Sequence, residues 1–382
     1  MTGEHVSRMK IVVFCPNWIG DTVMATPTFR ALRSRFPAAR LSAVIRPGVA
    51  PVLDGTSWFD DLILADHRSK KSHERTLGVV VRLRKTRYDV AVLLPNSFRS
   101  AWTAWLAGIP RRVGYLRYGR GLLLTDFLRP TYDASGKRLP EPVVESYLAL
   151  TRLLGCRDGS VRLELATTAA EEAAADRAWS KLGLPADGPV VCLNTGGAFG
   201  PAKTWPTDSF AVLARRLADE AAAAVLVLCG PAEREAARQI VQAASHRRVV
   251  TVADEPLSLG LTKACVRRAA LLVTTDSGPR HFAAAFGTPV VTLFGPTHIA
   301  WTRTYHPHAL HLINPVPCGP CQKHICPEGH HRCMRELAPD PVYDAAVRLL
   351  GMRRRFAGSQ PPESGTNLDR FQGAGNRRWR AG

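Results

Sequence analysis

KIVVFC at residues 10–15 runs directly into PNWIGD at 16–21, and that junction decides how the chain folds. Ile11, Val12, Val13, Phe14 and Cys15 form a continuous apolar run, the pattern of a strand covered on both faces of a parallel sheet. The turn that follows lacks the G-x-G-x-x-G spacing of a dinucleotide-binding first turn. From about Asp21 to Phe36 the apolar residues Val23, Met24, Pro27 and Leu32 predict a helix that stops before Pro37. Asp21 would then stand in its first turn, where an acid favours the helix dipole.

Outward from this junction the same strand–loop–helix grammar repeats. Further strands are predicted at Leu41–Ile45, Leu62–Leu64 and Asp89–Leu94, then at Val190–Asn194, Ala224–Cys229, Val249–Val252, Ala270–Thr275 and Val290–Phe294. Helices are expected near Thr207–Glu220, Glu233–Ala244 and Pro279–Phe286, with Thr207 or Asp208 as an N-cap and Gly287 as a stop. The Ala/Glu-rich stretch Thr167–Lys181 predicts one more. The expected class is α/β, with two Rossmann-like domains facing a cleft. They divide as 1–165 and 166–340, the second carrying a Cys-rich insert at 316–335. A closing helix at 341–351 and a basic, disordered tail at 352–382 complete the chain. Two such domains fit a dehydrogenase, a periplasmic-type binding protein or a two-domain glycosyltransferase. The missing glycine fingerprint argues against the first.

At 382 residues, 46% hydrophobic and 22% charged, the chain is sized for two domains. Its apolar runs fall far short of the ~20 residues a membrane span needs. Residues 1–18 hold no apolar run of signal-peptide length, so a cytoplasmic protein is expected, which argues against the binding protein. The net charge of +19 calls for an anionic partner. The tail alone carries seven arginines against Glu363 and Asp369. No zinc-finger, RNA-recognition or helix-turn-helix signature accompanies the charge, so nucleic acid is not the expected partner.

Three loops at strand ends carry candidate chemistry. The first holds Asp21, which is either a helix-capping acid or a carboxylate that takes a proton from a substrate hydroxyl. The second is NTGGAFGPAKTWP at 194–206, where Gly196 and its neighbour let backbone amides approach a phosphate, Thr195 adds a hydroxyl and Lys203 a cation. The third is TTDSGPRH at 274–281, which sets Ser277 and Gly278 at a helix N-terminus. Asp276 would repel a phosphate there unless it faced sugar hydroxyls or Lys203, while His281 is either a surface residue or a phosphate ligand. Together the last two loops outline a nucleotide-diphosphate site opposite Asp21.

PNWIGD at 16–21, LPNSFRSA at 94–101, AGIPRRVGY at 107–115, GPAKTWP at 200–206 and TDSGPRHFAAA at 275–285 closely resemble the motifs of the lipopolysaccharide (LPS) heptosyltransferase II enzymes of glycosyltransferase family 9. The resemblance spans roughly residues 10–350 in the expected order. It implies a GT-B fold and inverting transfer of heptose from ADP-L-glycero-D-manno-heptose to the first heptose of the Kdo–lipid A inner core, a heptosyl-Kdo2-lipid A acceptor. It makes Asp21 the general base and Lys203 the residue that offsets charge on departing ADP. Asp276 would hold the donor sugar; Thr195, Ser277, Gly278 and His281 would contact the diphosphate, and Glu233 or Glu235 the ribose. Asn96 and Arg99 would lie on the acceptor side. No Asp-x-Asp metal motif is present, so no cofactor is expected for catalysis. Basic charge suits peripheral contact with the anionic cytoplasmic face of the inner membrane. Another family-9 heptosyltransferase, a sugar-nucleotide epimerase of the same fold, and a basic nucleic-acid or membrane-binding protein remain alternatives.

The nine cysteines divide in two. Cys15, Cys156, Cys192, Cys229 and Cys265 lie in apolar contexts and read as small buried hydrophobes. Cys318, Cys321, Cys326 and Cys333 fall within sixteen residues, with His324, His330 and His331 between them. That spacing suits a structural zinc or iron ion, with free thiols as the alternative and disulfides disfavoured in a cytoplasmic setting.

Overall fold

The computed structural model describes residues 9–356 except Asp158 and Ala198, with the backbone alone for 352–356. Its first half contains β1 (Lys10–Phe14), β2 (Arg40–Ile45), β3 (Asp61–Leu64), β4 (Val90–Leu93), β5 (Arg111–Tyr115) and β6 (Asp126–Leu128). Its second half contains β7 (Val190–Asn194), β8 (Ala224–Leu228), β9 (Val249–Thr251), β10 (Leu271–Thr275), β11 (Val290–Phe294) and β12 (Ala309–Ile313). Each set forms one sheet, ordered β3-β2-β1-β4-β5-β6 and β12-β11-β10-β7-β8-β9. Every pairing is parallel. Counted from its own first strand, each half has the doubly wound order 3-2-1-4-5-6, so the expected α/β architecture of two Rossmann-like domains is present.

The core follows from the strand composition. β1, β4, β7, β8, β10 and β11 are buried over nearly their whole length, as helices on both faces require. β5, β6 and β12 were not anticipated. β5 opens on Arg111 and Arg112 and contains Gly114, while β6 and β12 are partly exposed edge strands without an unbroken apolar run.

The helix expected over 21–36 is two helices, Ile19–Met24 and Thr26–Arg35, broken at Ala25. Pro27 in the second helix has no amide to continue the first one's ladder, so the chain restarts there. At Thr207–Asp219 neither Thr207 nor Asp208 caps the helix; Pro206 occupies the N-cap and Thr207 is the first helical residue. Gly287 does end Gly278–Phe286, with a left-handed φ of 74°. The closing helix runs Pro339–Phe356 and overlaps the start of the expected tail. Met352 and Arg353–Arg355 are good helix formers, and Gly351 alone does not stop it. Residues 357–382 lie outside the described residues. Among the described residues no helix is long and apolar enough to cross a membrane.

A buried lysine pins the halves together. Lys263, fully buried on helix Leu259–Arg268, donates to the carbonyls of Pro51 (3.2 Å) and Asp54 (3.0 Å) in the first half. Its ammonium also pairs with Glu171 at 3.0 Å. Glu171 belongs to helix Ala169–Lys181, where its second carboxylate oxygen accepts the Thr168 amide in a capping box. Replacing Lys263 by Met leaves a buried carboxylate and two carbonyls without their donor. We expect Lys263→Met to lower unfolding free energy by about 3 kcal/mol in chemical denaturation, and an unchanged midpoint would contradict this role.

Candidate functional site

In each sheet the strand order reverses once, between β1 and β4 in the first and between β7 and β10 in the second. Such switch points open a crevice at the carboxyl ends of the strands, where α/β proteins bind ligands. The helix after β1, Ile19–Met24, packs across the domain boundary on the helix after β10, Gly278–Phe286. Their N-terminal turns meet so closely that glycines stand at the contact. A Cβ on Gly20 would lie 2.8 Å from the His281 ring, and one on Gly278 would lie 3.0 Å from Ile19 Cγ2. The two switch points therefore share one site.

Asp276, 4% exposed just beyond β10, is the hub of that site. Its Oδ2 accepts from Lys203 Nζ at 2.7 Å and from the Thr297 hydroxyl at 2.7 Å, while its Oδ1 pairs with Arg280 at 3.0 Å. Its backbone carbonyl also accepts from Lys203 Nζ, at 2.8 Å. Burial by itself would raise the Asp276 pKa, but Arg280, Lys203 and these hydrogen bonds outweigh it and hold the carboxyl far below the usual range. Arg280 is 1% exposed, stands over the Phe294 ring and donates to the Thr302 hydroxyl. Two cations thus serve one carboxylate. Arg280 can keep Asp276 neutralised while Lys203, whose Nζ lies 4.3 Å from the Phe199 ring centre, turns toward an incoming anion.

Asp21 faces this hub from the other domain. Burial of its carboxyl, then the charge of Asp276, push its pKa up to about 6, and Lys203 partly opposes the shift. A carboxylate tuned this way is mostly ionised at neutral pH yet more basic than an ordinary aspartate, as a general base requires. Tyr147, on helix Val143–Arg152, is held far above its ordinary pKa by burial and then by the neighbouring Asp21 charge.

The loop after β7 brings its residues to the same edge. Thr195 is buried and its hydroxyl has no partner among the described residues. Gly196 lies against Glu233, where a Cβ would come within 2.6 Å of the carboxylate, and Glu233 in turn accepts the Gly230 amide at 2.7 Å. Ser277 is the N-cap residue of helix Gly278–Phe286 but does not cap it with its side chain. Its hydroxyl instead joins Asn194 Nδ2 (3.0 Å) and Thr274 Oγ1 (3.1 Å). The Gly278 amide is one of the first-turn donors that no carbonyl of its own helix satisfies, at the positive end of the helix dipole. His281 is 3% exposed rather than a surface residue. Burial, then Arg280, depress its pKa well below the ordinary value, and its Nδ1 lacks a partner among the described residues.

On the first-domain side, Asn96 stands in the loop after β4, the strand beside β1. Its Oδ1 accepts from Arg120 at 3.0 Å, and this fully buried arginine also donates to the carbonyls of Pro95 and Tyr115. Arg99 is exposed on the helix Phe98–Leu106. The four clustered cysteines line one pocket with His330 and His331. Cys333 has its pKa raised by burial and then by Cys321, Cys326 and Cys318. All nine cysteines are free, and the other five are buried. Among the described residues no set of three or more His, Cys, Asp or Glu side chains is arranged as a metal site.

Sequence reading missed Arg280, Thr297, Asn194, Arg120 and Tyr147. Arg280 and Asn194 lay inside quoted motifs, but neither an arginine in a helical turn nor an asparagine at a strand end gives a sign of its buried partners. The other three act through contacts distant in the chain.

Residues 77–332 match the model of glycosyltransferase family 9 (heptosyltransferase). The chain is 30% identical to lipopolysaccharide heptosyltransferase 2 of Escherichia coli K12, over 90% of this chain and 99% of that protein. It is similar in structure to the E. coli ADP-heptose LPS heptosyltransferase II, with a TM-score of 0.73 and 27% identity over 91% of this chain and all of the other. A family 9 glycosyltransferase from Veillonella parvula shares the fold, with a TM-score of 0.78 and 24% identity over 90% of this chain and 98% of that one.

Proposed function

Since the chain belongs to glycosyltransferase family 9, we propose that it transfers L-glycero-D-manno-heptose from ADP-heptose to the first heptose of a heptosyl-Kdo2-lipid A acceptor, in the building of the LPS inner core. The observation that carries this reading is the meeting of Asp21 with the Lys203–Asp276 pair where the two domains touch. A base from one domain and an anion-compensating cation from the other are the two groups a one-step inverting displacement needs.

In that displacement Asp21 takes the proton of the acceptor hydroxyl as its oxygen bonds to the anomeric carbon. The bond from that carbon to the ADP oxygen breaks on the opposite face, which inverts the centre. Lys203, the Gly278 amide and the Thr195 hydroxyl meet the charge that develops on ADP, and preorganised electrostatics of this kind is commonly the largest catalytic contribution. Asp276 holds donor-sugar hydroxyls, His281 and Ser277 stand beside the diphosphate, and Glu233 beside the ribose. Asn96 and Arg99 serve the acceptor. No metal has a step in this scheme.

Two further assignments accompany this reading. Four cysteines line one pocket and are the soft donor set that zinc or iron prefers; they do not stand as a ready metal site, so a structural ion would have to draw them together. The enzyme would work at the cytoplasmic face of the inner membrane. The helix Phe98–Leu106 supports that place, because it exposes Phe98, Trp102 and Trp105 along one face beside Arg99, an aromatic and basic pattern suited to an anionic lipid interface.

Mass spectrometry of a heptosyl-Kdo2-lipid A acceptor after incubation with ADP-heptose should show the mass of one added heptose. Absence of product with active acceptor present would overturn the assignment. Asp21→Ala should abolish transfer yet bind ADP nearly as well as the wild type, whereas loss of ADP binding would count against a base. Because Asp21 must be ionised to act, kcat/KM should fall as pH drops through about 6 and level off about one pH unit above it; a profile flat to about pH 5 would contradict the role. Elemental analysis should find about one zinc or iron per chain, and less than a tenth of an equivalent would end the metal assignment. Trp102→Ser with Trp105→Ser should weaken sedimentation with anionic vesicles several-fold, and unchanged recovery would remove this face from membrane contact.

A further inference from the structure

The Cys-rich segment has a second relation to the site, independent of what its thiols bind. The loop after β7 that carries Lys203 rests on it from Phe199 to Ala202. The Phe199 ring stacks on His324 with centres 4.0 Å apart, and the His324 ring nitrogen Nδ1 is hydrogen-bonded to the Phe199 carbonyl. The Ala202 amide donates to the His324 carbonyl at 3.1 Å. His331 Nε2 donates to the Ala202 carbonyl at 2.6 Å, one residue before Lys203. Trp205, 1% exposed, donates its indole N–H to the Leu337 carbonyl, just past the segment, at 2.8 Å.

Gly200 marks how tight this seat is. Its φ is +135°, and a Cβ there would stand 2.7 Å from the His324 carbonyl oxygen. The segment also reaches the other loop of the hub, since the Gln322 amide donates to the Pro296 carbonyl at 2.8 Å, next to the Thr297 that binds Asp276. Both partners of the Asp276 carboxylate other than Arg280 therefore come from loops that the Cys-rich segment supports. Phe199 is at once the ring that stacks on His324 and the ring over which Lys203 Nζ lies.

We propose that the Cys-rich segment is a positioning element of the donor site, in which His324 and His331 hold the Lys203 loop so that the ammonium is in place for the departing diphosphate. This rests on the reading of Lys203 given above. Neither histidine touches substrate in this account; each acts through the loop. A charge displaced by about 1 Å can forfeit up to a hundredfold in rate, so loss of one such tie should be visible in turnover.

The test is a double-mutant cycle between His331 and Lys203 in the full chain, read as kcat and KM for heptosyl transfer. His331 has a left-handed φ of 53°, which asparagine tolerates while being too short to reach the Ala202 carbonyl. Glutamine can present its amide nitrogen about where Nε2 stands. His331→Asn should lower kcat about tenfold with acceptor KM unchanged, and His331→Gln should recover most of it. In a Lys203→Met background the same His331→Asn change should cost nothing further. Full kcat in His331→Asn, or an equal loss in both backgrounds, would overturn the proposal. A Lys203→Met enzyme that keeps wild-type kcat would instead overturn the reading of Lys203, and the proposal with it. If His331→Asn shifts the melting point or the metal content, Phe199→Leu takes its place in the cycle, with the same loss and non-additivity expected.

Discussion

One buried carboxylate organises the second domain's half of the site. Asp276 is almost wholly removed from water, and a lone charge in that position would be costly. Arg280, from the helix that begins two residues later, offsets that cost locally. Lys203, from a loop more than seventy residues earlier in the chain, offsets it a second time. In the proposed transfer this redundancy has a use, because a carboxylate with a permanent partner can release its second cation without being stranded. A diphosphate entering the site would compete for Lys203 and leave the Asp276–Arg280 pair intact.

The first domain reaches this arrangement through steric tolerance. Gly20 and Gly278 let two helix N-termini approach until Ile19 and His281 are in contact range of the opposite backbone. That approach brings Asp21 close enough for Asp276 to raise its pKa and Lys203 to lower it. Interdomain geometry and acid–base tuning are in this sense one property. Lys263 secures the same boundary elsewhere, where the cation of one domain satisfies carbonyls of the other.

Much of this was legible in the sequence, and what was not has physical causes. Buried parallel strands announce themselves as unbroken apolar runs, so β1, β4, β7, β8, β10 and β11 were found; β5, β6 and β12 were hidden by leading arginines or by exposure at an edge. The loops carrying Asp21, Lys203 and Asp276 followed from their places after strands. Pairing was harder, because no local pattern says that Arg280 is 1% exposed or that Thr297 reaches Asp276. The Cys-rich segment illustrates the same limit. Its thiol spacing suggested a metal, but its contact with the Lys203 loop spans more than a hundred residues and has no signature in either stretch.

The central claim is that Asp21 and the Lys203–Asp276 pair form one electrostatic unit across two domains. An NMR titration of the Asp21 carboxyl, in protein labelled at aspartate Cγ, reads that unit without requiring turnover. In the wild type Asp21 should titrate at about 6. Lys203→Met should move the midpoint upward by removing a cation, and Asp276→Asn should move it downward by removing an anion. A midpoint indifferent to both substitutions would contradict the account, since the two domains would then hold separate sites.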